Sequence, residues 1–157
     1  MATRLFPSND STVSAKGGNY EQEVFLTFTK AGNITADETH VFVMPFDGKV
    51  ADAFLSVAHN GVDGSNPLQL ELEVSKNGSA SVFTTKPLIT KAATAGRNKT
   101  TAAATGVTPG VVNPAANTFV KGDQLDVVLD ITRTASPGTE ISGASFVVVL
   151  KPTAVAE

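Results

Sequence analysis

The sequence predicts an all-β fold, an antiparallel β-sandwich, and three observations predict it. Several segments alternate apolar and polar residues with a period of two. Turn-forming pairs at Asp47-Gly48, Asn60-Gly61, Asp63-Gly64 and Asn77-Gly78 recur at the spacing of sandwich turns. No segment sustains a 3.6-residue apolar period, because the Ala-rich part of the chain is broken by Gly and Thr, so helix content is expected to be low.

In chain order, Val24 to Thr29 and Thr39 to Met44 are rich in β-branched and aromatic residues and read as strands. Lys49 to Ala58 continues the pattern after Pro45-Phe46-Asp47-Gly48. The clearest strand is Leu68 to Lys76, where Leu68, Leu70, Leu72 and Val74 alternate with Gln69, Glu71, Glu73 and Ser75. Asn77-Gly78 follows it and supplies the positive φ angles of a two-residue hairpin, so the chain is expected to return through Ala80 to Thr85. After the turn-like Lys121-Gly122-Asp123, the residues Leu125, Val127, Leu129 and Ile131 define one dry face of a further strand. Ala144 to Lys151 is apolar on both faces, which points to a central strand, or one covered on its second side. Pro152 lacks an N–H for the ladder and ends it.

Two segments do not read as core. Residues 1–20 are polar apart from Leu5 and Phe6 and read as a flexible N-terminal arm preceding one sandwich domain, 21–157. Residues 90–118 form one long Ala/Thr/Gly-rich loop with almost no large apolar side chain, and loops of that length are usually functional or disordered. That loop contains Lys91, Arg97 and Lys99 without a single acid, a charge of +3. The remainder holds nine basic and 15 acidic residues, a charge of −6.

Composition narrows the function classes. With 157 residues, one ordinary domain is expected. The net charge of −3 provides no field for a polyanion, so nucleic acid is not an expected partner. The chain has no cysteine, hence neither disulfides nor thiolate metal sites. No apolar run approaches the ~18 residues a membrane helix needs, and no membrane partner is expected. Met1 to Asp10 has one positive charge without an apolar run behind it, so no secretory signal is expected and synthesis in a cytoplasm is. The sequons beginning at Asn33 and Asn98 read as chance triplets.

Searches for chemistry return no constellation, and the chain reads as neither an enzyme nor a cofactor or small-molecule binder. His40 and His59 have no second ligand at metal-site spacing, and each reads as an ordinary surface or strand-end residue. The stretch Asn60 to Asn66 has oxygen ligands but lacks the length and terminal glutamate of a calcium loop, so it reads as a turn. Asp126 and Asp130 occupy the polar side of one strand and read as solvated. No Gly-x-Ser-x-Gly elbow is present, and the basic loop has no interleaved aromatics on which bases could stack.

The order of segments carries a resemblance. Val41-Phe42-Val43-Met44-Pro45-Phe46-Asp47-Gly48-Lys49-Val50 resembles the strand, Pro-Phe-Asp-Gly, strand opening of small virion proteins of tailed bacteriophages. Val74-Ser75-Lys76-Asn77-Gly78, Phe83-Thr84-Thr85-Lys86-Pro87 and Phe119-Val120-Lys121-Gly122-Asp123-Gln124-Leu125 are similar to the segments that follow in that family. Together they span Val41 to about Pro152. The family is the capsid decoration, or cement, proteins, together with related domains of head fibres.

The resemblance implies a jelly-roll-like sandwich, often a homotrimer, bound to the major capsid protein on the outside of the capsid and stabilising the head. Leu5 and Phe6 on the arm, with Arg97 and Lys99 on the basic loop, are the expected partner-binding residues. The alternative is a receptor- or glycan-binding domain of a virion fibre. Aromatic residues make up only 6% of the chain, with one tyrosine and no tryptophan, which speaks against a sugar-stacking surface.

Overall fold

The computed structural model describes residues 22–64, 67–134 and 136–153. Among them the regular elements are all strands: β1 (Val24–Asn33), β2 (Glu38–Val43), β3 (Gly48–Val57), β4 (His59–Val62), β5 (Gln69–Lys76), β6 (Phe83–Thr85), β7 (Leu88–Thr90), β8 (Asn98–Lys99), β9 (Val107–Thr108), β10 (Val111–Val112), β11 (Thr118–Phe119), β12 (Gln124–Thr132) and β13 (Thr139–Pro152). Every pairing between them is antiparallel.

One sheet runs β1-β13-β3-β11, with β4 on β13 and β8 on β3; the other runs β2-β12-β5-β7-β9. The β6–β10 pair forms a small separate ribbon. The chain changes sheet between β1 and β2, between β2 and β3, and again on each side of β12, so its first and last strands lie side by side. That wrapped order is a jelly-roll-like sandwich, as the sequence predicts.

The alternation explains the layering. Leu70, Leu72 and Val74 of β5, Leu125, Val127 and Leu129 of β12, and Ala144, Phe146, Val148 and Leu150 of β13 all enter one apolar core. On β3 the period slips, because Leu150 pairs with Val50 but Val149 pairs with Asp52. Ala51 is the extra residue of a bulge, and inward positions resume at Ala53, Leu55 and Val57. The strand Ala144 to Lys151 is central as expected, flanked by β1 and β3, and it ends at Pro152.

Two expectations are corrected. The Asn77-Gly78 turn forms, with φ of 51° and 67° and the Ser79 N–H donating to the Lys76 carbonyl at 2.9 Å. The returning chain, however, bridges β5 only at Ser81 and Val82 before Phe83–Thr85 swings out to pair with β10. It rejoins β5 as β7, with Ile89 opposite Leu70. The chain from Ser81 to Ile89 is too long to match Ser75 to Leu70 one for one, so the surplus leaves the sheet. The second correction concerns residues 90–118. Ala93 and Val107 join the core and Thr100 is buried, because short strands in the excursion add to both sheets.

Candidate functional site

Among the described residues, no group of three or more His, Asp or Glu side chains is placed to hold a metal. His40 is not the strand-end surface residue expected from sequence. Its ring centroid lies 3.8 Å from that of Phe28 and 5.7 Å from that of Phe146, and its Nε2 is buried without a partner. The inward direction follows from the β2 alternation, which puts Glu38, His40 and Phe42 on the side facing β12's Leu129, Val127 and Leu125. The ring fills the seam between the edge strands β1 and β2, beside the Lys30–Glu38 ion pair.

His59 accepts the Gly61 N–H through Nδ1 at 3.0 Å. Asp126 and Asp130 lie on the outer side of β12; Asp126 accepts the Gly78 N–H at 3.2 Å. Partial desolvation, then the charges of Asp37 and Glu71, hold the Asp130 carboxyl above its ordinary 3.8. The Asn60 stretch is also corrected: Asn60 and Gly61 belong to β4 rather than to a turn.

Asn60 organises the basic excursion. It is 2% exposed, and its Nδ2 donates to the carbonyls of Lys91 (3.3 Å) and Ala93 (2.9 Å) while its Oδ1 accepts the Gly96 N–H (3.2 Å). Asn98 Nδ2 then donates to the carbonyls of Thr94 (2.8 Å) and Gly96 (3.1 Å), closing the turn on itself. Thr100 ties the far end to β3: its Oγ1 accepts the Leu55 N–H and its own N–H donates to the Leu55 carbonyl, each at 2.9 Å.

These anchors hold Arg97 and Lys99 side by side on the lip of a cleft of about 510 Å³, with Ser56, Val57, Ala58 and Gly143 as its other walls. Both side chains are exposed, and neither is paired with an acid among the described residues. The structure thus brings together two of the four side chains named from sequence. Leu5 and Phe6 lie outside the described residues.

The cleft opens onto the outer face of the β13 sheet, whose cross-strand rows can be read from the register. Thr29, Ser145, Ser56 and Lys99 form one row; Thr27, Val147 and Phe54 the next; Phe25, Val149 and Asp52 the third. Ser56 and Ser145 share a hydrogen bond of 2.7 Å. Beyond them, Phe25, Phe54, Val149 and Ala51 line an apolar groove of about 320 Å³, bounded by Glu23, Asp52 and Lys151. Phe25 is 54% exposed.

The outer face of the β12 sheet differs in kind. Its rows present Glu71, Glu73, Asp126 and Asp130, and Lys86 pairs with both Glu71 and Glu73 at 2.7 Å. Those two contacts, the Glu71 one first, raise the Lys86 ammonium above its ordinary value. Sequence reasoning found the cations but not the anchors Asn60 and Thr100, nor the aromatic pair. The available signal was the run Val24-Phe25-Leu26, apolar on both sides of its strand.

No family model matches the sequence, and no curated protein sequence matches it. Solved structures do. A chain of Desmodium yellow mottle tymovirus is 12% identical at a TM-score of 0.35, with 100% of this chain and 98% of that one covered. A chain of turnip yellow mosaic virus is 8% identical at a TM-score of 0.33, covering 100% and 89%. The empty head of turnip yellow mosaic virus matches at 8% identity and a TM-score of 0.34, with the same coverage.

Proposed function

We propose that this chain is a viral structural protein, a decoration protein that binds the outside of an assembled capsid lattice and stabilises it. The observation that carries the reading is the contrast between the two outer faces. One face is acidic, with Lys86 already held by Glu71 and Glu73. The other combines an exposed aromatic, an apolar groove and two cations without acidic partners among the described residues. Soluble domains leave such a combination uncovered chiefly where a partner sits. The order of the turn and strand motifs adds the resemblance to phage decoration proteins.

The mechanism is mass action. A ligand that binds only the assembled lattice adds its binding free energy to that lattice. A homotrimer strengthens the effect, because the second and third contacts become intramolecular. In this reading Arg97 and Lys99 contact the major capsid protein, and Leu5 and Phe6 on residues 1–20 are apolar anchors.

The test is to incubate the purified protein with mature undecorated capsids and, separately, with unassembled capsid subunits, and to measure occupancy by sedimentation. Saturable binding to capsids alone is the expected result. Equal binding to free subunits removes the stabilising mechanism, and no binding to either removes the function.

A further inference from the structure

We propose that the cleft between Arg97, Lys99 and Gly143 takes an acidic, carboxylate-bearing protein segment, whose apolar side chains continue along the same sheet face onto Phe25 and Phe54. The inference deepens the reading of this face as the partner-binding one, and rests on it. Charge, construction and continuity support it.

The first is charge. Arg97 and Lys99 stand together in a chain that is otherwise acidic, and neither finds an acid among the described residues. Charge-assisted bonds from Arg and Lys to a carboxylate are among the stronger polar contacts, and Arg offers the fork that fits one.

The second is construction. A loop meant only to span two strands does not require a buried Asn60 holding three backbone groups, or a buried Thr100 bonded twice to Leu55. These anchors fix the backbone that bears both cations, so a ligand meets a preorganised pair and little ordering entropy is lost on binding.

The third is continuity. Ser56 lines the cleft and Phe54, two residues away on the same side of β3, lines the apolar groove. An extended segment that is acidic in one half and apolar in the other therefore meets a cation at one end and Phe25 at the other.

Competing occupants fit less well. A second copy would offer the acidic β12-sheet face, but Glu71 and Glu73 there already hold Lys86. The two outer faces also lie on opposite sides of the sandwich, so copies joined through them would meet face to back, a heterologous contact and not a self-complementary one. A nucleic acid would meet only two cations in the cleft and then Asp52 and Glu23 along the groove.

The experiment uses the full chain, isotope-labelled, titrated with a blocked octapeptide of four aspartates then four leucines and monitored by amide chemical shifts. Controls are the same peptide with asparagine for aspartate, and an octathymidylate. The expected result is shifts centred on Ser56 to Ala58, Asn98, Lys99 and Gly143, with affinity about tenfold lower for the asparagine peptide. The double variant Arg97→Glu, Lys99→Glu loses the response while keeping the wild-type circular dichroism, and Arg97→Lys retains most of it.

Equal affinity for the asparagine peptide overturns the proposal, as does tighter binding of octathymidylate. Shifts confined to β5 and β12, or cleft shifts that depend only on the protein's own concentration, overturn it too. Because no capsid is present, failure here leaves the capsid-binding result standing, and failure to bind capsids leaves the peptide result standing.

Discussion

The side chain of Asn77 donates to Asp123 Oδ1 at 2.8 Å and, through its own Oδ1, accepts the Gln124 N–H at 2.8 Å. The Asn77 N–H completes the clasp by donating to the Gln124 carbonyl at 2.9 Å. The β5 hairpin turn is thereby locked to the turn that starts β12. The two belong to separate sequence motifs, and their meeting gives a physical reason for the motifs to occur together.

Substituting Asn77→Ala is expected to destabilise the fold by about 1–2 kcal/mol, since it removes two side-chain hydrogen bonds and places a Cβ-bearing residue without a local acceptor at φ 51°. Asn77→Gly relieves the backbone part alone and should recover only some of the loss. Urea midpoints of the three proteins, at unchanged m-value, measure both effects.

Asp123 gives the clasp a pH dependence. The Val120 N–H bonded to Oδ2, followed by Asn77, lowers its carboxyl below the ordinary 3.8. A carboxylate lowered in the folded state adds stability that is complete above the ordinary value and is lost as pH falls through the folded one. Wild type should therefore lose stability below about pH 4 more steeply than Asp123→Asn, which is weaker at pH 7 and flatter in acid. Parallel curves in thermal melts from pH 7 to pH 2 would contradict this.

On the β12 sheet, Lys86 answers the charge of Glu71 and Glu73, and a Glu73 carboxylate oxygen is buried without a partner. Because the folded ammonium is raised above its ordinary 10.5, its contribution is fully present below that value and lost only as pH rises through the higher folded one. At pH 7, Lys86→Met is expected to cost about 1 kcal/mol in low salt, less in 1 M salt.

How legible this was follows from where the physics is local. The strands around Leu70, Val127 and Phe146 show their dry faces in sequence, since alternation needs no tertiary information. The inward turn of His40 was not readable, because a lone polar residue at an inward position looks identical to one at a strand end until Phe28 is seen against it. The excursion was hidden for a related reason. Its order derives from Asn60, some 30 residues earlier in the chain, so composition alone suggests looseness. The pairing of Phe25 with Val149 and the approach of Lys99 to Ser56 are likewise matters of register between distant strands.

Asn60 supplies the sharpest test of how the cation pair is held. Its Nδ2 faces two carbonyl oxygens, so Asn60→Asp, nearly isosteric, aims a carboxylate at the Lys91 and Ala93 carbonyls in a buried position. Asn60→Ala merely removes the bonds to those acceptors and to the Gly96 N–H, at an expected cost of about 2–3 kcal/mol. The aspartate should be the worse of the two, because it adds repulsion and the desolvation of a charge to the same loss. Asp at this site should also titrate upward, so its deficit narrows as pH falls and the carboxyl takes a proton. Native-state hydrogen exchange separates a local effect from a global one: amides from Gly96 to Thr100 should speed up in both variants well before those of β12. Uniform acceleration across both sheets would mean that Asn60 supports the whole sandwich and not the excursion in particular.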